Sequence, residues 1–375
     1  MILTDDQRML QDVVRPFMAE EGAIKLQLRH WRDTGCKDGF GHELWKQIAE
    51  LGLTGILVPE SAGGAGLGQV ESNLVLEEIG RNLTPSPFLT TSVAAVRALE
   101  GSAHAERWFP GIVAGETVAG LAIDEGKAHD PAATALEAKR QGNGFLLNGT
   151  KQFVVHGASA DLLLVAARTG GGPGESKGIT LFAVPRDTAG VAVENVALAD
   201  SSKAARLTLS NVAVDADAVV GEVDEGWLPL SRGLNAGRAG AASELVGIAT
   251  GASEMTFDYL KQRKQFGRLI GEFQALQHRA AHLYGEIEIA RAATLKAAQL
   301  LDAGDPGAEL MTAVAKAKAG KVARLAVQEG VQMHGGIGMT DEHDIGLYMK
   351  RQAVLDELFG GPRFHAGEVA RLSGY

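Results

Sequence analysis

Two stretches of this 375-residue chain set chemistry-bearing side chains beside glycine-rich joints. In the first, Tyr259–His278, a helical pattern carrying Arg263 and Gln265 stops at Phe266-Gly267 and restarts after Gly271, with Phe273 and Gln274 next in line. A helix break frees backbone N–H groups beside a fixed guanidinium, an arrangement suited to a phosphate. In the second, a helix end at Gln332-Met333-His334 runs into Gly335-Gly336-Ile337-Gly338. Glycines there let the main chain approach a flat or charged ligand. Either stretch alone reads as an ordinary helix joint; the two together point to a ligand.

Other chemistry finds little support. His278 and His282 stand at i and i+4 on a helix, but the residues between them are Arg-Ala-Ala, without the glutamate of a metalloprotease helix, so no metal site is expected. Cys36, in a loop with no activating neighbour, reads as structural. Gly-x-Gly-x-x-Gly and the phosphate-binding P-loop are both missing.

Composition narrows the classes further. A net charge of -10 argues against nucleic acid as partner, while leaving room for an anionic ligand at a local Arg or Lys. A single cysteine fits a reducing, cytoplasmic setting. The N-terminal Met-Ile-Leu-Thr-Asp-Asp lacks the basic start of a signal peptide, and no long apolar run predicts a membrane span. With 48 glycines, against an average of about 7%, close backbone packing or approach to a cofactor is expected.

The elements that must position these residues follow from periodicity. Thr4-Asp5-Asp6-Gln7 is a capping box opening a helix with Leu10, Val13, Val14 and Phe17 on one face. Residues 42–51 and 71–82 predict two more helices, separated by a Gly- and Pro-rich loop at 58–66, and 90–114 a helix broken at Pro110. From 117 to 214 short Val-, Leu- and Ile-rich runs set the cadence of a small antiparallel barrel or sandwich. After Gly226 four long amphipathic segments, 228–263, 273–303, 307–333 and 342–359, predict a bundle. The order is helical, β, helical, an α+β class, with segments 1–115, 116–227 and 228–375.

At these residues the chain resembles the acyl-CoA dehydrogenase family of flavoproteins along nearly its whole length. Val58-Pro59-Glu60 with Gly63-Gly64, Leu147 to Gly157, Arg263-x-x-Phe266-Gly267 with Gln274, and Gln332-x-x-Gly335-Gly336-x-Gly338 carry the likeness in order. The resemblance implies an N-terminal helical domain, a middle β domain and a C-terminal four-helix bundle. It also implies FAD, with Arg263, Gln265, Phe266, Phe273, Gln274, Gln332, Gly335 and Gly336 on its pyrophosphate and adenine side across a subunit interface. Phe153 and Val155 would lie against the isoalloxazine, and Arg238 would contact the substrate. The implied reaction is α,β-dehydrogenation of an acyl-CoA to a trans-2-enoyl-CoA: a base takes the α-proton, the β-hydrogen leaves as hydride to the flavin, and an electron-transferring flavoprotein reoxidises it. Homodimers or homotetramers and α2β2 heteromers are both implied, the latter because the chain most resembles the small subunits of pimeloyl-CoA-type and the steroid side-chain dehydrogenases.

The chain departs from that pattern at the base. The two usual glutamate positions are Gly360, nine residues after Arg351, and Gly237, just before Arg238. Glu244 is the replacement candidate. It is seven residues after Gly237, about 700° of helical turn and hence nearly the same face, displaced by roughly 10 Å. Its small neighbours Gly240, Ala241, Gly247 and Gly251 predict room for a ligand. A glutamate paired with an arginine inside the bundle is the competing expectation. Asp356 and Glu357 are lesser candidates. Ile123-Asp124-Glu125-Gly126 and Ala128-His129-Asp130 replace the family's Thr-Glu-Pro and Gly-Ser-Asp, which leaves backbone N–H groups to make the contacts that its hydroxyls make to flavin and substrate. A non-catalytic partner subunit is therefore the second functional expectation, and a flavin monooxygenase or oxidase the third.

Overall fold

A computed structural model describes residues 3–375; Met1 and Ile2, part of the stretch read for a signal peptide, lie outside the described residues. In chain order the helices are α1 (Asp5–Glu20), α2 (His30–Asp33), α3 (His42–Glu50), α4 (Gln69–Asn82), α5 (Val96–Leu99) and α6 (His104–Val113). After the sheet come α7 (Trp227–Gln262), α8 (Gln274–Asp302), α9 (Ala308–His334), α10 (Ile345–Glu357) and α11 (Pro362–Leu372). The Thr4 side chain accepts from Gln7 N and the Gln7 side chain from Thr4 N, so the capping box forms as its sequence requires.

The chain divides into two compact units that do not follow its linear order. One comprises the segment ending at His30, Gln69–Pro85 and Arg238–Tyr375; the other comprises Trp31–Gly68 and Ser86–Gly237.

The first unit is helical. α8 packs on α9, α9 carries α10 and α11, and α4 lies against α1 and α8. Glycine lets α4 and α7 touch backbone to backbone. A Cβ at Gly80 would sit 2.1 Å from Glu244 O, and one at Gly247 1.9 Å from Glu77 O. Gly251 meets Arg81 O and the Tyr348 hydroxyl in the same way. The room expected around Glu244 is therefore filled by α4 and Tyr348.

The second unit is built on a seven-stranded sheet. Its strands are β1 (Ala119–Ala122), β2 (Glu137–Gln141), β3 (Gly144–Val155), β4 (Leu162–Arg168), β5 (Ile179–Pro185), β6 (Val191–Ala197) and β7 (Lys203–Asp215). The order is β1-β4-β2-β3-β7-β6, with β5 also on β4. Most pairs are antiparallel, as expected, while β1 and β2 run parallel to β4. The apolar alternation that predicts strands does not encode their direction. Phe145, Leu147, Val154, Leu163, Phe182 and Leu207 are in its core. Strand β2 reads Glu-Ala-Lys-Arg-Gln, and only Ala138 is buried, so no hydrophobic run announced it.

Two boundaries differ from expectation. Pro110 stays inside α6; the break falls at Glu100–Ala103, where Gly101 has φ +76°. A helix survives the loss of one hydrogen bond at proline, whereas a left-handed residue turns the chain. The C-terminal α11 opens on Pro362 at its first position, beyond the four predicted long helices.

Candidate active site

The Arg263 stretch forms a surface hairpin on the helical unit. β8 (Lys264–Gln265) pairs antiparallel with β9 (Arg268–Leu269) around a two-residue Phe266-Gly267 turn, both residues left-handed at φ +53° and +79°. Ile270 N donates to Arg263 O, closing the hairpin base. The turn leaves Phe266 91% exposed, with its ring edge-on to Phe273 at 6.2 Å. Arg263, Gln265 and Gln274 are exposed, and Arg268 lies 4.1 Å over the Phe273 ring. An aromatic left this bare costs solvation unless something covers it.

The second joint is equally open. Gly335 caps α9 at φ +66°, ψ -140°, a conformation essentially reserved for glycine, and added Cβ atoms at Gly335 and Gly336 would meet nothing within 4 Å. Gln332 is exposed one turn earlier. A guanidinium, three carboxamides and uncovered glycine backbone form a donor set that fits the diphosphate and adenine of a dinucleotide.

On the sheet unit, β3 carries one extra residue against β7 between Lys151 and Val154. The bulge turns Phe153 to φ +53° and leaves it 56% exposed, with Val155 half-buried. A bulge re-aims a side chain out of the sheet's alternation. Here it yields an apolar face suited to a flat aromatic ring. The preceding Lys151 is fully buried, and its Nζ donates to Ile123 O at 2.8 Å and Glu125 Oε1 at 2.7 Å. Burial pushes this ammonium down to about 8, against the pull of Glu125. Asp124 takes His129 Nδ1 at 2.9 Å, and Arg168 donates to the carbonyls of Ala132, Thr134, Glu175 and Lys177. The segment that departs from the family pattern is thus held by charged ties.

Around the expected base, Arg351 donates from Nε at 2.9 Å and from Nη2 at 2.5 Å to Glu244 Oε1. The Glu244 side chain is 3% exposed. This is the bundle ion pair that competes with the base role. At Gly360, φ is +108° and a Cβ would lie 2.4 Å from Phe364 Cδ1. The position lacks both a side chain and the space for one. Gly237 is buried. Asp356 is committed to Arg324 at 3.0 Å and Gln352 at 3.1 Å, while the exposed Glu357 lies beside Gly361. Arg238 is buried, donates from Nε to Phe359 O at 3.1 Å, and holds its guanidinium 5.1 Å over the Phe364 ring.

Three buried titratable groups have no role that their sequence neighbourhood announces. Lys151 and Lys316 are fully buried lysines, and His334 is stacked between Tyr259 at 4.5 Å and His343 at 4.3 Å. Burial lowers the pKa of both histidines. The one sequence signal is Lys316 among Ala313, Val314, Ala315 and Ala317; Lys151, between Thr150 and Gln152, has none. His278 and His282 are exposed on α8, and the described residues contain no cluster of three or more metal-ligating side chains.

Models of the acyl-CoA dehydrogenase N-terminal, middle and C-terminal domains match residues 4–116, 122–212 and 224–371. The short/branched chain specific acyl-CoA dehydrogenase of Bos taurus is 30% identical over 373 residues, covering 96% of this chain and 83% of that one. The butyryl-CoA dehydrogenase of Megasphaera elsdenii superposes with a TM-score of 0.91 at 26% identity, over 100% of this chain and 99% of that one. The ChsE4-ChsE5 complex from Mycobacterium tuberculosis matches with a TM-score of 0.87 at 26% identity, covering 100% and 99%. With three domain models in order and full-length relatives, the chain belongs to the acyl-CoA dehydrogenase family, whose members are FAD-dependent oxidoreductases.

Proposed function

We propose that this chain binds FAD and dehydrogenates an acyl-CoA thioester between Cα and Cβ, leaving a trans-2-enoyl-CoA and passing the electrons to an electron-transferring flavoprotein. The observation that carries this reading is the open set of donors Arg263, Gln265, Gln274, Gln332, Gly335 and Gly336, with the Phe266 and Phe273 rings beside them, on one unit. The exposed Phe153 with Val155 on the other adds to it. The first set would hold the diphosphate and adenine, the second the isoalloxazine. When bound, FAD supplies the redox chemistry, taking up the β-hydrogen and two electrons.

Arg238 would orient the thioester. Glu244 is the proposed acceptor of the α-proton. Its Oε1 takes the Nε and Nη2 hydrogen bonds of Arg351. The Glu244→Gln variant tests this assignment. It should keep its flavin and lose dehydrogenation, and wild-type turnover would end the assignment.

A second reading, that of a partner subunit completing another chain's site, is favoured by Gly360. There the usual carboxylate has been replaced by a turn with no space for it. The ChsE4-ChsE5 relative is a complex of two chains, which supports an α2β2 arrangement beside the homodimer or homotetramer. Expression of the chain alone separates the two. A yellow protein that reduces a dye with an acyl-CoA supports catalysis; a colourless one that gains flavin only with a second chain supports the partner role. The segments 1–115, 116–227 and 228–375, with joints near 116 and 228, belong to this reading and are supported by the spans of the domain models. Cytoplasmic residence is proposed on the single cysteine, and no described helix is long and apolar enough to cross a membrane.

A further inference from the structure

Lys316 on α9 is 1% exposed. Its Nζ donates to the carbonyls of Asp356 at 2.8 Å, Leu355 at 3.2 Å and Gly360 at 3.4 Å. These are carbonyls at the end of α10 and in the turn that follows, the kind of acceptor a helix terminus leaves without a backbone partner. An ammonium has three donors and is favoured at the negative end of the helix dipole. The turn it grips is conformationally demanding, with Phe359 and Gly360 both left-handed at φ +59° and +108°. Arg238 holds the same turn from α7, through its Nε to Phe359 O, and stacks on Phe364 just beyond it.

We propose that Lys316 is a positioning residue: by clamping the Asp356–Gly360 turn it sets the Phe359 carbonyl, and through that carbonyl the Arg238 guanidinium that receives the acyl-CoA. The proposal rests on Arg238 as a substrate contact. It does not need Lys316 to touch the substrate, and its burial and three carbonyl acceptors argue against that.

The charges around it suit a clamp whose strength depends on its own proton. Burial pushes Lys316 down to about 8. Asp356 and Glu357 on α10 and Glu244 on α7 pull it up, while Arg238 pushes it down. Arg324 on α9 neutralises Asp356, and His365 on α11 borders Gly360. Above that pH Lys316 loses its charge and one donor while the protein stays folded, so the turn loses a tie.

The test is calorimetric titration of the full-length, flavin-loaded protein with butyryl-CoA at pH 7 and pH 9.5, using wild type, Lys316→Met, Lys316→Arg, Arg238→Met and the double methionine variant. Hydrogen exchange of the peptide covering 355–365 is followed in parallel without thioester. Lys316→Met should weaken binding about tenfold at pH 7, and the double variant should bind no more weakly than Arg238→Met alone. Wild type should lose affinity between the two pH values, Lys316→Met should not, and Lys316→Arg should hold its affinity at the higher pH. Exchange at 355–365 should rise in Lys316→Met. Additive losses, a wild-type affinity unchanged from pH 7 to 9.5, or unchanged exchange would each overturn the proposal, and the last two need no variant to bind. If wild type does not bind the thioester, or Arg238→Met binds as wild type, the substrate reading of Arg238 fails instead, and the exchange arm still judges the clamp.

Discussion

Glu244 and Arg351 are joined by two hydrogen bonds onto a single carboxylate oxygen, with the carboxylate 3% and the guanidinium 24% exposed. The pair links α7 to α10 at the level where Gly80 of α4 presses on the Glu244 backbone. Breaking a fully buried pair from one side costs about 3–5 kcal/mol, and the partial exposure of Arg351 reduces that here. Glu244→Gln, which keeps a hydrogen-bond acceptor, should therefore lose less stability than Arg351→Met, which strands the carboxylate. Urea unfolding of both variants checks the order. Flavin content measured on the same samples tells a stability loss from the loss of catalysis expected of Glu244→Gln.

Restoring a glutamate at position 360 should not restore a base. Gly360→Glu meets a left-handed φ of +108° and the Phe364 ring. The backbone strain alone costs on the order of 1–3 kcal/mol. The melting temperature should fall, and dye reduction with acyl-CoA thioesters should not rise. Gly360→Glu with Phe364→Ala should recover part of the stability. An increase in turnover in the single variant would mean that the turn can open.

Arg263→Ala should release flavin without unfolding the chain. The guanidinium is exposed on the hairpin, and a hydrogen bond to a charged group contributes about 1.5–3 kcal/mol. A flavin affinity lower by about 10- to 100-fold is expected, with circular dichroism unchanged. Absorbance at the flavin band against protein, after dialysis, measures it. Full retention would remove Arg263 from the cofactor site.

Lys151 should make stability rise with pH over an alkaline window. Its folded pKa of about 8 is below the ordinary 10.5, so between those values the unfolded chain binds the extra proton. Wild type should gain on Lys151→Met by up to roughly 1.4 kcal/mol per pH unit from about pH 8 to about 10, and not below pH 7. Urea titrations of both proteins at several pH values show the slope; parallel curves would mean that Lys151 does not titrate in this range.

Gly80→Ala should destabilise by about 1–3 kcal/mol or more, because its Cβ would meet the Glu244 carbonyl at 2.1 Å and neither helix has slack there. Gly285→Ala, on the open side of α8 with nothing within 4 Å, should be neutral or slightly stabilising. Thermal melts of the two variants compare them directly.

Periodicity and motif spacing, read along the chain, determined the helical, β, helical order, the long bundle helices to within a few residues, and the two glycine joints that carry the cofactor reading. These are local properties: an amphipathic stripe, a capping box or a left-handed turn is written in neighbouring residues. Tertiary structure alone decided the rest. Small residues around Glu244 looked like space for a ligand, but the space belongs to α4, because a missing side chain cannot say what fills it. Strand β2 had too few apolar residues to be seen, and β1 took a parallel partner, because pairing depends on the path between strands. Glu244 found Arg351, and Lys316 found the end of α10, through contacts between residues far apart in sequence. Such partners are chosen by burial and charge only after the helices have packed.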